Sequence, residues 1–164
     1  RLVNDQGLCV PPGEAGEIIA QGPQVMQGYW HNDEATASTL KNGWLYTGDI
    51  ATMDDEGYFY IVDRKKDMVI VSGFNVYPNE IEDALIKHPQ IADVGVCGIP
   101  DDKTGEAVKL VIVKKDPDLT EARVREYCKT SLTGYKQPRV IEFRAEMPKT
   151  PVGKILRREL RDKK

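Results

Sequence analysis

Apolar residues recur along this chain with two different periods. Up to about residue 63 they come in short alternating runs broken by glycine and acidic turns. Glu17–Gln21 reads as a short strand, and Gln24–Trp30 follows the Gly22-Pro23 break. Asn32 is placed to cap a short helix running through Asp33 and Glu34 to Leu40. Trp44–Met53 and Tyr58–Asp63 alternate as strands, and the Asp54-Asp55-Glu56-Gly57 turn between them signals a hairpin. This stretch is β-rich and too small to bury a convincing core by itself.

From Met68 the helical period enters. Met68–Val71, Val94–Ile99, Ala107–Lys114 and Val140–Phe143 read as strands. Pro78–His88 places Ile81, Ala84, Leu85 and His88 on one helical face; Pro78 suits a first turn, and Glu80, Glu82 and Asp83 suit the positive end of the helix dipole. Thr120 caps a second helix with Val124, Tyr127, Cys128 and Leu132 at helical spacing. A loop from Met147 to Gly153 leads into an expected last helix, Ile155–Arg161. The order from residue 67 is β-α-β-β-α-β-α, which predicts an α+β class with one sheet packed by helices. The charged run Asp63-Arg64-Lys65-Lys66-Asp67 reads as a solvated linker. Two domains are therefore expected: residues 1–65, which are β-rich, and residues 66–164, an α+β unit of about 100 residues.

Composition narrows the function classes. Hydrophobic residues make up 40% and charged residues 30%, as in ordinary globular proteins. The net charge of −3 carries no basic field, which argues against nucleic acid as a partner. No apolar run approaches the roughly 18 residues of a spanning helix. Arg1–Asp5 reads neither as a signal peptide nor as a natural start, so the chain is expected to be cut from a longer one. Cys9, Cys97 and Cys128 form no CxxC pattern. Each is expected to be a small buried apolar residue in a reducing, cytoplasmic setting.

Three segments carry candidate chemistry. In Tyr46-Thr47-Gly48-Asp49 a carboxylate follows a glycine that admits a ligand to the backbone; it could accept both hydroxyls of a ribose, or simply close a turn. In Asp63–Glu82, Arg64 offers a rigid fork for phosphate or ribose oxygens, and Gly73 leaves room beside a Ser-Gly-Phe-Asn turn. The same stretch also reads as linker, strand, turn and helix cap without a ligand. In Pro148–Leu160, Lys154 follows Gly153 at a loop tip, where its charge could stabilise a developing anion. It is not a Walker motif, because Ile155 stands where Ser or Thr is needed, and it also reads as an exposed lysine before a basic helix.

Taken in order, Tyr46-Thr47-Gly48-Asp49, Arg64-Lys65-Lys66-Asp67, Ser72-Gly73 through Glu80-Ile81-Glu82, and Pro148-Lys149-Thr150 through Gly153-Lys154 resemble the adenylate-forming superfamily over essentially the whole chain. That superfamily includes acyl-CoA synthetases, peptide-synthetase adenylation domains and luciferases. Asp63–Glu82 and Leu132–Lys136 look most like the bacterial long-chain fatty acyl-CoA ligases.

The resemblance implies a two-step reaction. A carboxylate attacks the α-phosphate of ATP, giving acyl-adenylate and pyrophosphate; the thiol of CoA then displaces AMP. A small C-terminal domain closes in a different orientation for each step. By resemblance Asp49 holds the ribose hydroxyls, Arg64 is a second nucleotide contact, and Lys66 is the hinge. Lys154 bridges the substrate carboxylate and the α-phosphate, and Gly73 lies beside the pantetheine channel. The implied partners are a fatty acid, ATP and CoA, with Mg2+ accompanying ATP and its ligands outside these residues. Asn75 departs from the arginine of acetate-activating relatives, which argues against acetate. The phosphate loop and the adenine and acyl pockets are not among these residues, so the chain alone is expected to be inactive. Neither chain length of the acid nor oligomeric state is written here. Long-chain relatives often work at the inner membrane face, though no amphipathic anchor is present in this sequence. Two rivals remain: an adenylation domain loading a carrier protein, against which the basic ending Arg157–Lys164 argues by looking like a terminus, and a non-enzymatic freestanding lid module.

Overall fold

The computed structural model describes residues 1–161, and its chain divides into two compact units, Arg1–Lys66 and Asp67–Lys164. The expected domain end at residue 164, with the last residues of the terminus-like ending, lies outside the described residues.

The first unit is one antiparallel sheet. Strands β1 (Leu2–Val3), β2 (Gly16–Ala20), β4 (Trp44–Met53) and β3 (Leu40–Lys41) lie in that order, and β5 (Phe59–Arg64) pairs with β4. Helix α1 (Asp33–Thr39) begins where expected, with the Asn32 side chain accepting from the Ala35 N–H. The core is small: Leu2, Val3, Ile19, Ile50 and Ala51 are buried, while Tyr58, Phe59, Tyr60 and Ile61 remain exposed. Successive strand residues point to opposite faces, so β5 is apolar yet open on both sides, as befits a sheet with little core of its own.

The second unit is α+β. Its sheet runs β10 (Val140–Arg144), β9 (Gly105–Lys114), β6 (Val69–Val71), β7 (Phe74–Val76), with β8 (Ile91–Asp101) also paired to β9. Helices α2 (Pro78–Leu85) and α3 (Glu121–Ser131) contribute to one core, in which Ile81, Leu85, Val124 and Cys128 meet Val96, Leu110 and Ile112. A second cluster joins Cys97, Val111, Met147 and Leu160. Thr120 caps α3 through its hydroxyl, which accepts from the Arg123 N–H.

Several expectations are corrected. The last helix, Ile155–Arg161, is reduced to a single 3-10 turn, Arg157–Glu159; the chain there is held by tertiary bonds rather than by a helical ladder. Helix α2 stops at Leu85, not His88; the His88 N–H donates to the Leu85 carbonyl at 3.0 Å in a tighter turn, and Pro89 disfavours helical backbone at His88 itself. The stretch after Gly73 is a strand, β7, and not merely a turn. Cys9 is exposed, while Cys97 and Cys128 are buried; burial pushes the Cys128 thiol up to about 11. Asp63 is not solvated linker either: it is buried within β5, and its carboxylate accepts from the Arg64 N–H at 2.7 Å.

Candidate functional site

Asp49 owes its setting to a bulge. Between Glu17↔Ile50 and Ile19↔Tyr46 the β2–β4 register shifts, so Thr47, Gly48 and Asp49 face the single residue Ile18. Extra residues in one strand bend it and re-aim a side chain. Gly48 takes φ +73°, open to glycine at no steric cost. The Thr47 hydroxyl donates to the Ile18 carbonyl at 2.8 Å and accepts from the Asp49 N–H at 3.1 Å. The Gly48 N–H, turned out of the ladder, is taken by Glu17 Oε1 at 3.0 Å.

On the opposite side β4 pairs with β5, whose register shifts only past Ile50, and Asp49 faces Arg64 directly. Arg64 Nε lies 2.9 Å from Asp49 Oδ1. Sheet pairing thus brings together two residues that the sequence singled out separately. The bulge borders a concavity of about 640 Å³ that also includes Glu17, Tyr46 and Lys65.

Glu17 escaped the sequence reading. It is buried, and its second oxygen accepts from Lys65 Nζ at 3.0 Å, which also reaches Asp5 at 2.8 Å. The hydrogen bond to Asp5, assisted by Glu17 and opposed by burial, holds the Lys65 ammonium above its ordinary pKa. An acidic residue in an apolar alternating run was the available signal, since a carboxylate is rarely buried without a partner.

Lys66 is the middle residue of a 3-10 turn, Lys65–Asp67, and is exposed. Gly73 sits in the β6–β7 hairpin, where Val71 pairs with Phe74 across Ser72 and Gly73. Both central residues have positive φ, 51° and 84°, the geometry that suits a two-residue hairpin to strand twist. A Cβ on Gly73 would meet nothing within 4 Å, so within this chain φ, and not crowding, demands the glycine. Beside it the exposed Phe74 ring stacks on Tyr135 at 4.8 Å.

Lys154 is exposed on a tight loop. The Thr150 N–H donates to the Lys154 carbonyl at 2.8 Å, and the Gly153 N–H returns to the Thr150 carbonyl at 2.8 Å. The Thr150 hydroxyl accepts from the Lys154 N–H at 3.1 Å. Gly153 supplies the φ of +81° that closes the turn. The backbone under Lys154 is therefore fixed while its ammonium is presented outward. Among the described residues no group of three or more His, Cys, Asp or Glu side chains could hold a metal ion. No helix among them is long and apolar enough to cross a membrane.

Comparison with known proteins places these features in a family context. Residues 80–154 match the model of the AMP-binding enzyme C-terminal domain. Over 162 residues, 99% of the chain, the sequence is 59% identical to a long-chain-fatty-acid–CoA ligase of Escherichia coli and spans 29% of that relative's length. The fold superposes on ATP-bound MatB from Rhodopseudomonas palustris with a TM-score of 0.90 and 35% identity, covering 98% of this chain and 32% of that one. It matches o-succinylbenzoate CoA synthetase from Bacillus subtilis, in complex with its acyl-adenylate intermediate, with a TM-score of 0.87 and 36% identity, covering 99% and 34%.

Proposed function

The chain belongs with the adenylate-forming enzymes, its residues 80–154 being their AMP-binding C-terminal domain, and from that premise we propose that it is part of an ATP-dependent long-chain fatty acid:CoA ligase. The observation that carries this reading is the 59% identity, over nearly the whole chain, to the Escherichia coli long-chain ligase. In the reaction the fatty-acid carboxylate attacks the α-phosphorus of ATP, and the bond to the β-phosphate oxygen breaks to release pyrophosphate. The CoA thiol, losing its proton, then attacks the acyl carbon and expels AMP.

Residues 1–65 are the last β-rich part of the large domain in this reading, and residues 66–164 are the mobile lid. Asp49 receives the ribose hydroxyls, for which a carboxylate fixed at a bulge is suited. Arg64 is a second nucleotide contact and orients Asp49 through their 2.9 Å ion pair. Lys154 bridges the carboxylate and the α-phosphate. Two anions must approach in this step, and a cation aimed at them lowers the barrier where their charge is shared. Lys66 is the hinge that brings Lys154 in for the first step and withdraws it for the second. Gly73 then lies beside the pantetheine arm of CoA. Mg2+ accompanies ATP on ligands outside these residues. The enzyme works in the cytoplasm, and peripheral contact with the inner membrane face would bring it to its acid. The isolated 164-residue chain is inactive, and acyl-CoA formation by it would overturn that statement.

The test is Lys154→Ala in the intact ligase, with the half-reactions assayed separately. Pyrophosphate release should fall by about 10²–10³-fold, the scale of losing one electrostatic stabiliser. Thioester formation from preformed acyl-adenylate and CoA should persist. Undiminished pyrophosphate release would reduce Lys154 to a surface lysine and remove the central residue of the reading.

A further inference from the structure

We propose that Arg157 is the positioning residue for Lys154, fastening the segment behind the lysine to helix α2, to strand β8 and to the flank of the hinge turn. The inference rests on the reading of Lys154 given above. Arg157 lies three positions after Lys154, and its side chain is 15% exposed. Its Nη2 donates to Asn79 Oδ1 at 2.6 Å and to Glu82 Oε2 at 2.8 Å, and its Nε donates to the Val96 carbonyl at 3.3 Å. Its Nη1 stands 3.7 Å from Asp67 Oδ2, within ion-pair range. Asp67 directly follows the proposed hinge residue, Lys66.

Glu82 completes the clamp. Its other oxygen, Oε1, accepts from the Val96 N–H at 2.8 Å. The Arg157–Glu82 pair thus takes both the N–H and the C=O of one residue of β8, Val96, and so grips the two peptide units that flank its Cα. A rigid planar fork makes this set of bonds possible; a lysine ammonium on a flexible stem does not reproduce it. The pair is half-buried on both sides, so its geometry is held more firmly than that of a surface ion pair.

The consequence concerns the loop that Arg157 follows. Thr150–Lys154 is closed by its own hydrogen bonds. Before it, Lys149 is ion-paired with Asp93; after it come Arg157 and then the buried Leu160, whose Cδ1 would lie 2.7 Å from a Cβ placed on Gly95. Arg157 is the polar anchor nearest to Lys154 on the downstream side. A catalytic cation displaced by about 1 Å can lose about 10²-fold in rate. Through Asp67 the same fork joins the lysine loop to the downstream flank of the hinge turn. Rotation at Lys66 is then delivered to Lys154 without slack.

The test uses the intact ligase with Arg157→Lys and Glu82→Gln, beside Lys154→Ala as reference. For Arg157→Lys the adenylation kcat should fall about 10–100-fold, with the KM for ATP and for fatty acid within about twofold of the parent by the same geometric argument. Thioester formation from preformed acyl-adenylate should be unchanged. Glu82→Gln should show a smaller loss of the same pattern, and it carries the test if Arg157→Lys does not fold. Equal losses in both half-reactions would make Arg157 a residue of the fold alone and overturn the inference. Unimpaired adenylation in both variants, beside an impaired Lys154→Ala, would overturn it while leaving the reading of Lys154 intact. If Lys154→Ala itself adenylates normally, both fall together.

Discussion

The bulge at Asp49 and the loop at Lys154 present charge in opposite ways. Asp49 is set between two strands, its carboxylate already engaged by Arg64 and its neighbouring N–H groups taken by Thr47 and Glu17. Lys154 is fixed through its backbone alone, by Thr150, and its side chain is exposed. The first arrangement suits recognition, where an acceptor must stand still at a known distance. The second suits a charge that acts in one step of two and must be carried by something that moves. The sheet holds the first in place; a short packed tail holds the second.

That contrast can be broken at its anchors. Leu160→Ala empties a fully buried position beside Cys97, Val111 and Met147 and should cost about 2–5 kcal/mol, measured as a lowered denaturant midpoint; an unchanged midpoint would mean that the tail is not packed as described. Glu17→Ala should destabilise by about 1–3 kcal/mol, because the Gly48 N–H and Lys65 lose a buried acceptor. On the proposed reading, the same change in the intact protein should raise the KM for ATP, whereas an effect confined to stability would separate Glu17 from the proposed nucleotide site. Gly73→Ala forces a Cβ into φ +84° at about 1–2 kcal/mol; on the proposed reading, its activity loss should fall on the thioester step and spare adenylation.

The smallest expected effect depends on pH. Hydrogen bonds from Arg144 and then Lys109 pull the Glu142 carboxyl down from 4.5 to about 2. A depressed folded-state value contributes stability that is present above the unfolded value and lost as pH falls through the folded one. Stability should therefore decline from about pH 4.5 towards pH 2, and Glu142→Gln should flatten that decline. An unchanged slope would show that the buried Lys109 gains nothing from Glu142 over that range.

Much of the fold was legible in the residues. Alternation places β4 at Trp44–Met53, and the caps Asn32 and Thr120 both act as read. The Ile81 and Leu85 stripe faces the core. What escaped was non-local. Ile155–Arg161 has helical composition, but Arg157 finds better partners across the fold than along its own backbone. Asp63 reads as solvated linker and Glu17 as one residue of a short strand, and both are buried because β5 and β2 carry them inward. For the site, the motifs located Asp49 and Arg64 but could not show that strand register sets them face to face.

The order of assembly follows from how β8, β9 and β10 connect. Strands β8 and β9 pair along nearly their whole length across a short turn, and such hairpins close within about 1–10 microseconds. Strand β10 joins β9 in parallel and so waits for the α3 crossover to form. Leu160 can dock only once the face bearing Cys97 and Val111 exists. The segment bearing Lys154 is thus the last to be laid down and, by the same logic, the first to let go. Its amide hydrogens should exchange with solvent well before those of the hairpin on which it rests.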